Sequence, residues 1–430
     1  MKTIEVSALA RVEGEGGLYI GVKDGQVVEI RLDIYEPPRF FEGFLVGRFL
    51  QDVPDITARI CGICPVAYQM SSVTALEKAL ELEVSPQVYA LRRLMYCGEY
   101  IESHALHIYL LQAPDLLGQP SALDLALIAP EVVKNALRMK KIGNEVLKAI
   151  GGRSVHPVNA CVGGWYRWPE AASLQALLPE LEWGLEAARE TVRWSLTLPY
   201  PELEIDYEFV AIHHPEEYGV MHGDAWSSKG SKTSVADYEM RYFEEHVQRS
   251  NALHGHTAYG GTYLVGPLAR LNLNHAQLLP EAQKALKDAR LKLPLKNPYK
   301  SLIARAIELV NFYEEAIQTI KGYQPDGPAH PTLKLKAGEG CGMSEAPRGL
   351  LYHRYKIDEQ GMVKFAKIVP PTAQNLPRIE ADLFALAPKL VKMEQEVATL
   401  TAEHLVRAYD PCISCATHFL KLKIKEASQV

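Results

Sequence analysis

The sequence holds no run of about 18 apolar residues that could span a bilayer. Its opening, Met-Lys-Thr-Ile-Glu-Val, has neither an apolar signal segment nor a twin-arginine motif. Cysteine is scarce and odd in number, seven in 430 residues, which excludes a disulfide framework. An excess of positive charge is also missing. With 46 Lys and Arg against 52 Asp and Glu, the net charge of −6 gives no reason to expect a nucleic-acid binder. Internal repeats, low-complexity tracts and flexible linkers are absent, so the pieces are expected to pack as one unit. These absences lead to the expectation of a cytoplasmic protein with no membrane span and with its thiols kept reduced. What is there in quantity is ordinary: 47% hydrophobic and 23% charged residues, the composition of a globular chain.

Four of the seven cysteines fall into two pairs near opposite ends of the chain. One pair lies in Arg59-Ile60-Cys61-Gly62-Ile63-Cys64-Pro65 and the other in Asp410-Pro411-Cys412-Ile413-Ser414-Cys415-Ala416-Thr417-His418. Each is a Cys-x-x-Cys, a spacing that turns two thiolates toward one point. Four thiolates suit a thiophilic ion such as zinc, iron or nickel. A structural zinc site is the plainest reading, but its pairs usually lie roughly 15–20 residues apart. Here nearly the whole chain separates them, so the site assembles only when the fold is complete. The flanking Arg59, Asp410 and His418 are also company that a closed zinc site does not need. Cys97, Cys161 and Cys341 are isolated, so no iron–sulfur motif is left over.

Leu18–Val22 and Val27–Leu32 read as a hairpin, preceded by a tight acidic loop, Arg11-Val12-Glu13-Gly14-Glu15-Gly16. Helical periodicity covers Met70–Leu82, Gln87–Leu111, Pro130–Ile150, Pro169–Leu198 (kinked or split at Pro179), Leu302–Ile320, Glu380–Leu400 and Ala402–Ala408. Leu203–Ile212 reads as a strand and His213–Tyr259 as surface loops. Ala337–Gly349 reads as a glycine-rich loop ahead of a strand pair, Leu350–Ile357 and Met362–Val369. The expected fold is mainly α with α+β parts: a long-helix bundle with small β-rich pieces at the N-terminus and near residues 350–370.

Taken together, the motifs resemble the catalytic large subunit of nickel–iron hydrogenases, in the cytoplasmic branch linked to soluble cofactors. They occur in that family's order: Arg11–Gly14, Phe41-Glu42 before Gly47-Arg48, Arg59–Cys64, Gly152–Pro157, Gly266–Arg270, Ala346–Gly349, Val369–Thr372 and Asp410–His418. The resemblance implies reversible oxidation of dihydrogen to protons and electrons. It implies nickel held by Cys61, Cys64, Cys412 and Cys415, with Cys64 and Cys415 bridging to an iron that carries carbon monoxide and cyanide. Glu13 would be the proton relay, beside Cys415. Arg348 would lie over the metals, held by Asp410, while Pro347, Pro370 and Thr372 would pack around the cyanides. Glu42 and His418 would bind magnesium or iron, with a backbone carbonyl near Lys367. Implied partners are flavin subunits using NAD or NADP and an iron–sulfur small subunit. The family's precursors carry a tail that is cut off after nickel insertion. The chain is therefore expected to be one unit over residues 1–418, with a removable extension, 419–430.

Three positions depart from the family pattern: Tyr68 and Glu15 stand where relatives have histidine, and Ser103 where some have aspartate. His104 and His107, three apart on a predicted helix, read as packed bundle contacts rather than metal ligands. Two other classes stand beside this reading. One is the quinone-site subunit of the respiratory complex, which shares the fold but lacks the four thiolates. The other is an interaction protein built on a four-cysteine zinc site.

Overall fold

The computed structural model describes residues 2–24 and 26–418. The 419–430 extension expected to be removed lies outside the described residues. Strands β1 (Lys2–Val6), β2 (Gly16–Lys23) and β3 (Gln26–Ile34) form an antiparallel sheet in which β2 is central. The predicted hairpin is its second half.

The first long helix, α1 (Pro65–Leu80), starts immediately after Cys64, five residues earlier than its periodicity suggested. Proline suits a first helical turn because its missing N–H would have no partner there. Helix α2 (Pro86–Leu106) is capped by Ser85, whose side chain accepts from the Val88 amide. It runs on into a π-helical turn, His107–Gln112. That turn leaves the Leu111 carbonyl to accept from Arg11 at 3.1 Å. Helix α3 (Pro130–Gly151) crosses α2 glycine on glycine: a Cβ on Gly143 would lie 2.5 Å from the Gly98 carbonyl oxygen.

Residues 171–195 are two helices, Ala171–Gln175 and α4 (Leu178–Ser195), as Pro179 at the second start requires. Helix α5 (Ser301–Lys321) is buried on nearly all sides and forms the centre of the bundle. It packs against α2 and α4.

The middle of the chain is more ordered than its sequence suggested. The strand expected over Leu203–Ile212 shrinks to Val210–His213. The stretch read as surface loops contains Asp224–Ser227, β4 (Tyr242–His246) and β5 (Leu253–Thr257), of which β4 and β5 pair.

The largest correction concerns residues 338–346. They form strand β6 (Gly338–Ala346), paired with β7 (Gly349–Ile357), which in turn pairs with β8 (Val363–Val369). The glycines at alternate positions are not loop residues. A Cβ on Gly338, Gly340 or Gly342 would lie 2.1, 2.0 or 2.3 Å from the carbonyl oxygens of Ala79, Ala75 and Ser71 respectively. The strand lies flat along α1, and only hydrogen fits between their backbones.

Helices α6 (Pro371–Leu390) and α7 (Gln395–Ala408) return the chain to the second cysteine pair. The predicted break at 400 falls instead between 390 and 395. Among the described residues no helix is long and apolar enough to cross a membrane. The long-helix bundle with small β pieces is the fold read from the sequence.

Candidate metal centre

The first cysteine pair sits in the turn that feeds α1, and its own backbone holds it. The amides of Ile63 and Cys64 both donate to Cys61 Sγ, at 3.3 Å. Pro65 has no N–H. The next two amides, Val66 and Ala67, donate to the carboxylate of Glu99 at 2.6 and 3.2 Å. Thiolate and carboxylate thus share the positive end of α1.

The second pair lies against the N-terminal loop. Cys412 Sγ is 3.6 Å from Cys61 Sγ. The sulfurs of Cys61, Cys412 and Cys415 lie within 4.8 Å of one another, all buried. Cys64 is buried in the same turn with its amide on Cys61 Sγ, but its sulfur is not among the three that meet within 4.8 Å. None of the seven cysteines is in a disulfide. Hydrogen bonds from Cys412, Cys415 and Cys64 hold Cys61 well below the ordinary thiol range. Hydrogen bonds to Cys415, Cys61 and Cys64 push Cys412 well up, and burial pushes Cys415 up. One buried thiolate forms readily here, but four together require a cation among them. The donor set therefore fits a thiophilic metal.

Glu13 reaches this cluster through a chain of anchors. Asp115 receives both Arg11 and Arg407, the latter at 2.7 Å, and Arg407 also donates to the Ala10 carbonyl at 2.9 Å. These contacts tie the Arg11–Gly14 loop to α7. The Glu13 carbonyl accepts from the Ile413 amide at 2.9 Å. Its carboxylate accepts from Cys412 Sγ and from the Ser414 amide, both at 3.1 Å, and from the Ser414 hydroxyl. Glu13 thus bonds to Cys412, where Cys415 was expected; the two sulfurs lie 2.7 Å apart. Gly14 allows the approach: its φ is +87°, and a Cβ there would lie 2.8 Å from Ile413 Cβ. Ser414 also lies 3.3 Å from Glu36, whose side chain is 15% exposed.

Arg348 is buried and clamped by Asp410. Nε donates to the Asp410 carbonyl at 2.8 Å and Nη2 to its carboxylate at 3.0 Å. Asp410 itself has a left-handed φ of 55°. Arg348 Nη1 is buried with no hydrogen-bond partner among the described residues. Burial opposes its charge, but Asp410 and the thiolates of Cys412, Cys64 and Cys61 outweigh that and keep the guanidinium protonated. A second buried guanidinium, Arg305, reaches the other Asp410 oxygen at 3.4 Å.

Of the remaining predicted residues, Thr372 and Pro370 reach the second cysteine pair. Thr372 Oγ1 accepts from the Cys412 amide at 2.9 Å. Pro370 lines a cavity of about 300 Å³ together with Cys415, Phe41, Ile60 and Ile368. The Pro347 carbonyl accepts from Arg270 at 2.9 Å. Glu42 and His418 meet at 2.8 Å, and Glu42 also accepts from the Ile368 amide at 2.8 Å. The peptide joining Lys367 to Ile368 thus lies beside the pair. Tyr68 is wholly buried, and its hydroxyl has no partner among the described residues. His104 bonds to Glu308 at 2.7 Å and His107 to the Arg407 carbonyl at 2.8 Å; both are packed contacts, as read.

Sequence reasoning missed Ser414, Glu36, Glu99 and Arg305. Ser414 had a usable signal, because it stands between the two cysteines of its pair. Glu99 was visible only as an acid on the apolar side of a helix. Glu36 and Arg305 carried no signal, since only the fold brings them near.

Comparison with known proteins places this geometry. Residues 39–128 and 254–418 match the family of nickel-dependent hydrogenases. Those two segments hold the four cysteines, Glu42, Arg348, Asp410 and His418, but not Glu13. The alpha subunit of sulfhydrogenase 1 from Pyrococcus furiosus is 36% identical over 97% of this chain and 98% of its own length. A chain of the F420-non-reducing hydrogenase of Methanothermobacter marburgensis is 31% identical over 100% of this chain and 97% of its own. Among solved structures, an NAD+-reducing [NiFe]-hydrogenase in the H2-reduced state superposes with a TM-score of 0.88. It is 25% identical and covers 97% of this chain and 100% of that one.

Proposed function

Because the chain belongs to the nickel-dependent hydrogenases, and is a hydrogenase large subunit, we propose that Cys61, Cys64, Cys412 and Cys415 hold a nickel–iron centre. The observation that carries this assignment is the meeting of thiols from opposite ends of the chain, Cys61 Sγ and Cys412 Sγ at 3.6 Å, beside an acid and a clamped arginine. The centre, with carbon monoxide and cyanide on its iron, supplies the heterolytic splitting of dihydrogen and the acceptance of its electrons.

The chain's own residues manage protons and charge. Glu13 takes a proton at the Cys412 sulfur, 3.1 Å away. The Ser414 hydroxyl, in contact with both Glu13 and Glu36, passes it on toward solvent. Arg348 is pre-oriented by two bonds to Asp410, so it offers positive charge over the thiolates without reorganising. Pro347, Pro370 and Thr372 would pack around the iron's small ligands. Glu42 and His418, with a backbone carbonyl near Lys367, would bind magnesium or iron, for which carboxylate and carbonyl oxygens are suitable donors.

The isolated Cys97, Cys161 and Cys341 cannot carry clusters, so electrons leave through an iron–sulfur small subunit. In this reading they continue to flavin subunits that use NAD or NADP, in the cytoplasm. Likeness to the solved NAD+-reducing hydrogenase supports that acceptor. The quinone-site and zinc-scaffold readings are not favoured by membership of this family. The test is metal analysis of the purified complex with an assay of hydrogen-dependent dye reduction. Nickel together with iron, and dye reduction, are expected; zinc alone overturns the assignment.

A further inference from the structure

Arg270 closes the Gly266–Arg270 motif, lies in the short helix Pro267–Asn274 and is wholly buried. A guanidinium carries five N–H groups, and those of Arg270 all find oxygens. Nε donates to Glu308 Oε1 at 2.7 Å, Nη2 to Glu308 Oε2 at 2.9 Å and Nη1 to Glu345 Oε2 at 3.1 Å. The other two bonds go to the main chain. Nη1 donates to the Ala346 carbonyl at 3.0 Å and Nη2 to the Pro347 carbonyl at 2.9 Å. Glu308 and Glu345 are buried as completely as the arginine. The carbonyl before these two, that of Glu345, accepts from the Tyr100 hydroxyl at 3.0 Å. The successive carbonyls leading into Arg348 are therefore held by Tyr100 of α2 and by this one guanidinium.

Arg348 stands where such holding is needed. Strand β6 ends at Ala346 and β7 begins at Gly349, its partner across the hairpin, so Pro347 and Arg348 form a two-residue turn. Two-residue hairpins prefer turns with a positive φ at the first position, because their twist matches that of the strands. Proline cannot supply it, since its ring fixes φ at about −65°. The hairpin alone thus does not favour this turn. The Gly266 motif is pressed against it: a Cβ on Gly266 would lie 2.8 Å from the Arg348 carbonyl oxygen, and one on Gly349 2.9 Å from the Gly266 amide nitrogen. We propose that Arg270 is a positioning residue for the hydrogen reaction: it fixes the Pro347–Arg348 turn and so the place of the Arg348 guanidinium. This rests on Arg348 offering its charge over a metal centre. Asp410 clamps the guanidinium itself, and Arg270 sets the main chain from which it grows.

Stability alone does not account for the arrangement. Burying an ion pair costs desolvation, and apolar side chains of similar volume often stabilise a core as well or better. An ion pair with Glu308 also has no need of bonds to the Ala346 and Pro347 carbonyls. Lysine could not replace Arg270, because three donors on one nitrogen cannot span two carboxylates and two successive carbonyls.

Two measurements on Arg270→Lys test this. The first is amide hydrogen exchange of the full nickel-free chain, read by mass spectrometry. Exchange over residues 345–351 is expected to rise about tenfold or more while that of α2 and α5 stays near wild type. A mere loss of stability would speed exchange in those helices as well. The second is turnover of the nickel-loaded complex, with nickel content measured, in a double-mutant cycle with Arg348→Lys. Arg270→Lys is expected to lower turnover about tenfold beside a native Arg348, with KM for dihydrogen unchanged, and less than about twofold in the Arg348→Lys background. A residue acting through Arg348 has little left to disturb once that guanidinium is gone. If Arg270→Lys does not fold, Arg270→Gln combined with Glu308→Gln removes both buried charges together and carries both measurements, with the same results expected. Exchange unchanged over 345–351, or raised equally in α2 and α5, overturns the proposal, and so does an equal fall of turnover in both backgrounds. Wild-type turnover in Arg348→Lys alone would instead overturn the role given to Arg348, and exchange in the nickel-free chain would still decide whether Arg270 sets the turn.

Discussion

The two cysteine pairs have the same spacing but are held by different means. Around Cys61 the loop's own amides bind the sulfur, and the helix that follows is capped by one buried acid. Around Cys412 nearly every contact comes from far along the chain. Glu13 lies 399 residues away, Arg348 holds the residue two before it, and Thr372 accepts from the backbone. The first site can take shape as soon as α1 and α2 pack. The second must wait for the N-terminal loop, β6–β8 and α6 to be in place. A metal joining both pairs, as proposed, would tie a site built from local contacts to one built from distant ones.

The strongest way to break this pairing is to remove a sulfur from either side. Cys64→Ser and Cys415→Ser are each expected to lose nickel and abolish hydrogen turnover. Wild-type turnover in either variant would remove the four-thiolate reading. The next effect should separate the pairs. Glu13→Gln keeps the side-chain shape but cannot carry a proton. It should lower D2–water exchange about a hundredfold while nickel stays bound. Normal exchange in that variant would take Glu13 out of the route.

How legible each pair was follows from the same contrast. The cysteines, Arg348, Asp410, Glu42 and His418 could be named because each sits in a short motif. The side of the cluster that Glu13 faces could not be read, because it depends on the bridge between Glu13 and Cys412. Strand β6 was missed for a similar reason. Glycines at 338, 340 and 342 have the same local signal whether they free a loop or admit a helix backbone, and only α1 lying across them decides. The helix bundle, by contrast, was readable from periodicity, which is local. Helix starts shifted at Pro65, where apolar spacing begins after the first turn, and by nine residues at Pro371, where Pro377 inside the helix reads locally as a breaker.

A smaller effect is expected above the metals. Arg348→Lys keeps the charge but loses the planar fork that spans the Asp410 carbonyl and carboxylate. Turnover should fall about tenfold, equivalent to ~1.4 kcal/mol of barrier. An unchanged rate would make Arg348 a structural residue only. Nickel content should stay near wild type, because the guanidinium is no ligand.

The smallest expected effect tests whether the second pair really depends on distant side chains. Thr372 supplies one acceptor, to the Cys412 amide at 2.9 Å, and both groups are buried. Thr372→Val keeps the branched shape and removes the oxygen, leaving a buried N–H without a partner. That should cost about 1–3 kcal/mol, read as a lower unfolding midpoint, with turnover changed by only a few-fold. Thr372→Ser restores the oxygen and should restore the midpoint apart from the lost methyl. If the proposed iron carries cyanides, their infrared bands separate the two roles of the hydroxyl. If it serves the Cys412 backbone alone, the bands stay in place in Thr372→Ser and move little in Thr372→Val. If it also bonds a cyanide, they move clearly in Thr372→Val and return in Thr372→Ser. A midpoint unchanged in Thr372→Val would mean that Cys412 is held without this contact, and the contrast between the pairs would then rest on Glu13 and Arg348.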